Sequence, residues 1–294
     1  MTEQCDKRRF LSRLPGAEFT LPFSVAATVV AARATYGWPG WRTLLLILAG
    51  LACAHLFALG CLRLAERVVP GTAGAGFASN YGFNLCALGL CLLSGAGFIA
   101  VARWLGGLCF YLAPGALGVT CLCLVATRNT YFAHIWRGVA VGLAPIGAWL
   151  GVKGASLTVL EFVQMGTLAL AVVLWTAGFD IVYSLGDSEF ARGPVRRSLP
   201  AVWGPANALG AAFILHMLSL ALLIAFGLFC RFRIAYLTGW LIVTGCFVIE
   251  YWIARRRRLG WAARAFCRLN AVTSAVLVTV TVAEVVFAGG FKLQ

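Results

Sequence analysis

The sequence predicts an all-α polytopic membrane protein, a bundle of about nine transmembrane helices, and three observations predict it. The 294 residues are 61% hydrophobic and only 12% charged, with a mean hydropathy of +0.89; soluble domains carry about twice that charged fraction. Apolar runs of about twenty residues, one helical membrane crossing each, recur from end to end. These runs are too long and too continuous for barrel strands, and lipid admits only helices or closed barrels because every backbone polar group must be satisfied internally.

The spans are expected at roughly 19–36, 42–61, 82–102, 105–126, 133–152, 156–180, 206–229, 235–253 and 268–288. Pro22, Pro114 and Pro145 are expected kinks, tolerated where neighbouring helices re-satisfy the backbone. Gly and Ala in most spans favour close helix packing. No internal repeat or linker divides the chain, so 1–294 reads as one domain.

The N-terminal tail, 1–18, carries Lys7, Arg8, Arg9 and Arg13. With nine spans it shares a side with the connections 62–81, 127–132, 181–205 and 254–267, where most of the 24 basic residues fall. The positive-inside rule makes that side cytoplasmic; the expected location is a bacterial inner membrane. A cleaved signal peptide fits the first span less well, given so many later ones. The net charge of +14 is spread over these short connections, which excludes nucleic-acid binding as its cause. Most of the eleven cysteines lie in apolar runs and none forms a CxxC pair, so they read as small buried hydrophobes.

Chemistry concentrates between Trp175 and Pro200, WTAGFDIVYSLGDSEFARGPVRRSLP. Only ten acids occur in the chain, and Asp180, Asp187 and Glu189 fall within ten positions. Asp180 and Asp187 are two helical turns apart and share a face if the helix continues, with Tyr183 on the same side. Clustered carboxylates suit Mg²⁺ with phosphate oxygens, and Arg192, Arg196 and Arg197 suit phosphate directly. A capped helix end with self-neutralising surface charge has the same spacing, so both readings stand at this point.

This stretch resembles the second acidic motif of the UbiA superfamily of intramembrane prenyltransferases, in the branch with FDxxYxxxDxEFDR followed by SIP. Trp175, Phe179, Asp180, Tyr183, Asp187, Glu189, Phe190, Arg192, Ser198 and Pro200 match in register. GLAPIGAW at 142–149 with His134 before it, and Phe266 to Glu284 with Asn270 and Ser274, resemble the fifth and last helices. LPFS near residue 21 and GWPGWRTLLLI near residue 37 fit the first two. The resemblance implies a UbiA-like nine-helix bundle that transfers a polyprenyl group from polyprenyl diphosphate to a small aromatic acceptor of the 4-hydroxybenzoate kind, in quinone biosynthesis. It implies Asp180 and Asp187 as catalytic, and Mg²⁺ held by Glu66, Asp180, Asp187 and Glu189. Arg63, Arg67, Arg128, His134, Tyr183, Arg192 and Ser198 are implied to touch substrate.

The chain departs from the pattern of the first acidic motif, roughly NRxxDxxxD: Leu62 stands for the Asn, Glu66 for one Asp and Pro70 for the other. Ala191 replaces an acid of the second motif and Thr127 a lysine. A catalytically impaired isoprenoid-binding or assembly protein on this scaffold is therefore the alternative. A small-solute transporter is a third, though no inverted repeat supports it. Outside the motifs, His55 and His216 read as packing histidines and Glu284 as structural. Glu161 and Glu250 are open, pairing with neighbouring basic groups being one role for them, and Arg255–Arg258 reads as a headgroup anchor.

Overall fold

The computed structural model describes residues 17–33, 37–68, 81–186, 199–256 and 259–288. Side chains at several helix ends, those of Glu66, Arg67 and Arg128 among them, lie outside that description. The described residues form nine helices and no strand: α1 Ala17–Arg33, α2 Trp41–Val68, α3 Tyr81–Leu105, α4 Gly107–Asn129, α5 Ala133–Lys153, α6 Val159–Gly186, α7 Leu199–Phe229, α8 Ile234–Arg256 and α9 Leu259–Ala288. Eight of them, α2 to α9, are long and apolar enough to cross a membrane. The apolar part of α1, Thr20–Arg33, is shorter, yet it is buried almost throughout. It packs chiefly on α5 and α9.

Neighbouring helices run up and down, so the ends of α2, α4, α6 and α8 meet the starts of α1, α3, α5, α7 and α9 at one end of the bundle. Two expected connections prove shorter than hydropathy suggests. Helix α2 continues to Val68 and puts Arg63 inside it, and α6 continues to Gly186. Hydropathy follows the thickness of the lipid, whereas backbone hydrogen bonding carries a helix on into polar surroundings. Helix α7 likewise begins at Leu199, before the expected 206, and breaks at Gly204, whose φ of 77° is a left-handed value. Pro205 follows it, lacking the N–H needed to continue a ladder. Pro22, Pro114 and Pro145 lie inside α1, α4 and α5.

Helix α6 is the axis of the core: Leu168, Val172, Trp175, Phe179 and Ile181 are all buried. The α5–α6 contact depends on glycine. A Cβ at Gly138 would stand 2.3 Å from the Val173 carbonyl oxygen, and one at Gly142 would stand 2.6 Å from Val173 Cγ2. Small residues of this kind let membrane helices meet backbone to backbone. The remaining polar groups act mainly as struts. Lys153 Nζ meets Glu161 at 2.6 Å across the α5–α6 turn, and the Tyr236 amide donates to Glu284 at 3.1 Å. Glu284 is thus structural, as expected, and Glu161, left open by the sequence, pairs with a basic residue. Glu250, which is 1% exposed, has no partner for either oxygen among the described residues. None of the described cysteines forms a disulfide.

Candidate active site

Asp180 lies six residues before the end of α6 and is 2% exposed. A carboxylate this deep in an apolar bundle needs partners, and α5 supplies them from one face. His134 and Arg137, three residues apart and so stacked on successive turns, each engage one oxygen. His134 Nδ1 donates to Asp180 Oδ2 at 2.5 Å, and Arg137 Nη1 donates to Asp180 Oδ1. His134 is 4% exposed, and its other nitrogen, Nε2, has no partner among the described residues. Gly138, next to Arg137, has no room for a side chain against the Val173 backbone, and so the packing and the charged triad are set together.

A second set of bonds fixes α6 from the opposite side. Trp175, one turn before Phe179, donates from Nε1 to Asn270 Oδ1 on α9 at 2.8 Å. Its carbonyl accepts from His216 Nε2 on α7 at 3.1 Å, and Tyr251 on α8 donates to His216 Nδ1 at 2.7 Å. Phe23 of α1 and Phe247 of α8 pack edge-on against the Trp175 ring, with centroids 5.5 and 4.9 Å away. Asp180 thus sits on a helix held by five others. His216 is a packing histidine, as its apolar setting suggests.

The expected site residues divide accordingly. Asp180 and His134 are brought together. Tyr183 is half-buried, its ring stacked on Phe179 at 6.2 Å. Arg63 is half-buried on α2 and is not among the groups bonded to Asp180. Asp187, Glu189, Arg192 and Ser198, with the side chains of Glu66, Arg67 and Arg128, lie outside the described residues.

Among the described residues no group of three or more His, Cys, Asp or Glu is placed to hold a metal. Asp180, expected as a ligand, has both oxygens engaged by protein donors. The residue that sequence reasoning passed over is Arg137. Its signal was present, since a lone arginine inside an apolar helix requires a counter-charge, but only the folded chain identifies that counter-charge as Asp180. A cleft of 230 Å³ bounded by Gly227, Phe232, Arg233 and Tyr236 lies at the α7–α8 turn, at the other end of the bundle.

Known proteins agree with this architecture. The chain is 28% identical over 252 residues to a 4-hydroxybenzoate octaprenyltransferase of Hahella chejuensis, covering 83% of this chain and 80% of that one. It is 30% identical over 168 residues to an enzyme of the same name from Xanthomonas campestris pv. campestris, covering 55% of this chain and 54% of that one. Its fold matches a UbiA homolog from Aeropyrum pernix K1 with a TM-score of 0.74 and 22% identity, over 89% of this chain and 96% of that one. It also matches a UbiA homolog from Archaeoglobus fulgidus bound to DMAPP and Mg²⁺, with a TM-score of 0.60 and 17% identity, over 91% of this chain and 98% of that one. The sequence model of the UbiA prenyltransferase family matches residues 76–273. With more than half of its length so matched, the chain belongs to the UbiA prenyltransferase family.

Proposed function

We propose that this membrane enzyme transfers a polyprenyl group from polyprenyl diphosphate to an aromatic acceptor of the 4-hydroxybenzoate kind, in a Mg²⁺-dependent reaction of quinone biosynthesis at the cytoplasmic face of a bacterial inner membrane. The observation that carries this reading is the likeness, along 83% of the chain, to a 4-hydroxybenzoate octaprenyltransferase. The chemical problem is to ionise an allylic C–O bond beside lipid. The apolar bundle keeps water from the allylic cation, an acceptor carbon forms the new C–C bond, and the ring then loses its proton. Mg²⁺, when bound, withdraws charge from the departing diphosphate. Glu66, Asp187 and Glu189, whose side chains lie outside the described residues, are the carboxylates the reading assigns to it, while Asp180 is already engaged by His134 and Arg137.

The test is an assay of the purified protein in liposomes with labelled prenyl diphosphates, Mg²⁺ and a panel of aromatic acceptors. Prenylated 4-hydroxybenzoate is the expected product, lost on removal of Mg²⁺ and in Asp187→Asn. If no acceptor is prenylated under conditions where the Hahella chejuensis relative turns over, the reading is wrong. One observation favours a second reading, an isoprenoid-binding protein without turnover: Leu62, Pro70 and Ala191 stand where the resemblance places Asn and Asp. Saturable binding of geranyl diphosphate with no product would establish that reading instead.

A further inference from the structure

Asp180 is already partnered by His134, yet the chain also spends an arginine on it. The geometry indicates what that arginine is for. Asp180 is closed off, its side chain 3% exposed, whereas the Arg137 side chain is 41% exposed. One Nη1 bond to Asp180 is the partner Arg137 has among the described residues. A guanidinium carries five N–H donors in a rigid fork, so most of the fork stays available while one tine is pinned. By helix rise, Arg137 lies about 6 Å along α5 from its first residue, and Asp180 about 9 Å from the end of α6. The pair therefore sits just inside the end of the bundle from which the 187–198 connection leaves. Close packing at Gly138 fixes the backbone that carries it.

We propose that Asp180 and His134 hold Arg137 as an anion-receiving arm, whose free donors take an oxyanion of the substrate. This inference rests on the prenyl-transfer reading above, which supplies two such groups: the diphosphate of the donor and the carboxylate of the acceptor. Asp180 is then a positioning residue. Because its charge cancels that of Arg137, the pair can sit in an apolar surrounding, and recognition comes from directed N–H donors, which are strong in a low dielectric. The competing account is that Arg137 only neutralises Asp180, and the two accounts separate in a double variant. Removing both charges in Arg137→Gln/Asp180→Asn leaves no buried carboxylate unpaired but deletes the fork.

The experiment measures equilibrium binding of labelled geranyl diphosphate and, separately, labelled 4-hydroxybenzoate to the full chain in nanodiscs, with Mg²⁺ and with EDTA. Thermal melting controls for folding. The expected result is that the double variant melts as wild type does and binds one probe more weakly by about tenfold or more. The probe affected identifies the group Arg137 holds. Arg137→Lys, which keeps the charge without the fork, loses affinity for the same probe. If both variants bind both probes as tightly as wild type, Arg137 is a counter-ion only and the inference is overturned, with the prenyl-transfer reading untouched. A wild-type chain that binds neither probe overturns that reading and this inference with it.

Discussion

Replacing Gly138 by alanine tests whether the α5–α6 contact and the charged triad are one structure. The new Cβ would stand 2.3 Å from the Val173 carbonyl oxygen, and that neighbour is backbone, so no side chain can swing aside. Restoring ordinary contact requires the helices to separate by roughly 1 Å. His134 lies one turn from Gly138, so the same movement lengthens its 2.5 Å bond to Asp180 to roughly 3.5 Å, past the range of a hydrogen bond. Overpacking costs about 1–3 kcal/mol, and loosening a buried hydrogen bond to a charged group adds about 1–3 kcal/mol. For a chain of this size that lowers the melting midpoint on the order of 4–10 °C. The assay is thermal unfolding in detergent, with prenyl transfer measured on the same preparation. Gly147→Ala is the control on the same helix, since a Cβ there meets nothing within 4 Å. If Gly138→Ala melts and turns over like Gly147→Ala, the proposed link between packing and site is refuted.

Other variants test the remaining struts. Trp175→Phe removes the 2.8 Å bond to the buried Asn270 Oδ1 and is expected to lose about 1–3 kcal/mol in detergent unfolding; wild-type stability would mean that this bond does not hold α6 to α9. Tyr251→Phe removes the 2.7 Å bond to His216 and should destabilise by about 1–3 kcal/mol, read as a lower melting midpoint. Lys153→Met removes the 2.6 Å partner of Glu161 and leaves its carboxylate only the Thr158 amide and hydroxyl, at about 1–3 kcal/mol read as a lower melting midpoint. Lys153→Met/Glu161→Leu should regain most of that in the same melt, because no unpaired charge remains.

Much of this was legible in the sequence. Trp175, Asp180 and Asn270 each stand in a recognisable motif, but nothing in one dimension says that Trp175 and Asn270 share a hydrogen bond across 95 positions. Asp180 showed that a partner was needed without naming it. Arg137 lies five residues beyond the 127–132 connection, where a positive residue near a span end ordinarily answers to the membrane, so its position along the chain does not single it out.

By itself, then, the sequence determined the solvent, the all-helical class and the family, because hydropathy over twenty residues and motif register are properties of neighbours along the chain. Tertiary structure alone decided which charges meet. Asp180 is answered by His134 and Arg137 of another helix, so its chemistry depends on the face that α5 turns toward α6. That face is fixed by the glycines that let the two backbones touch.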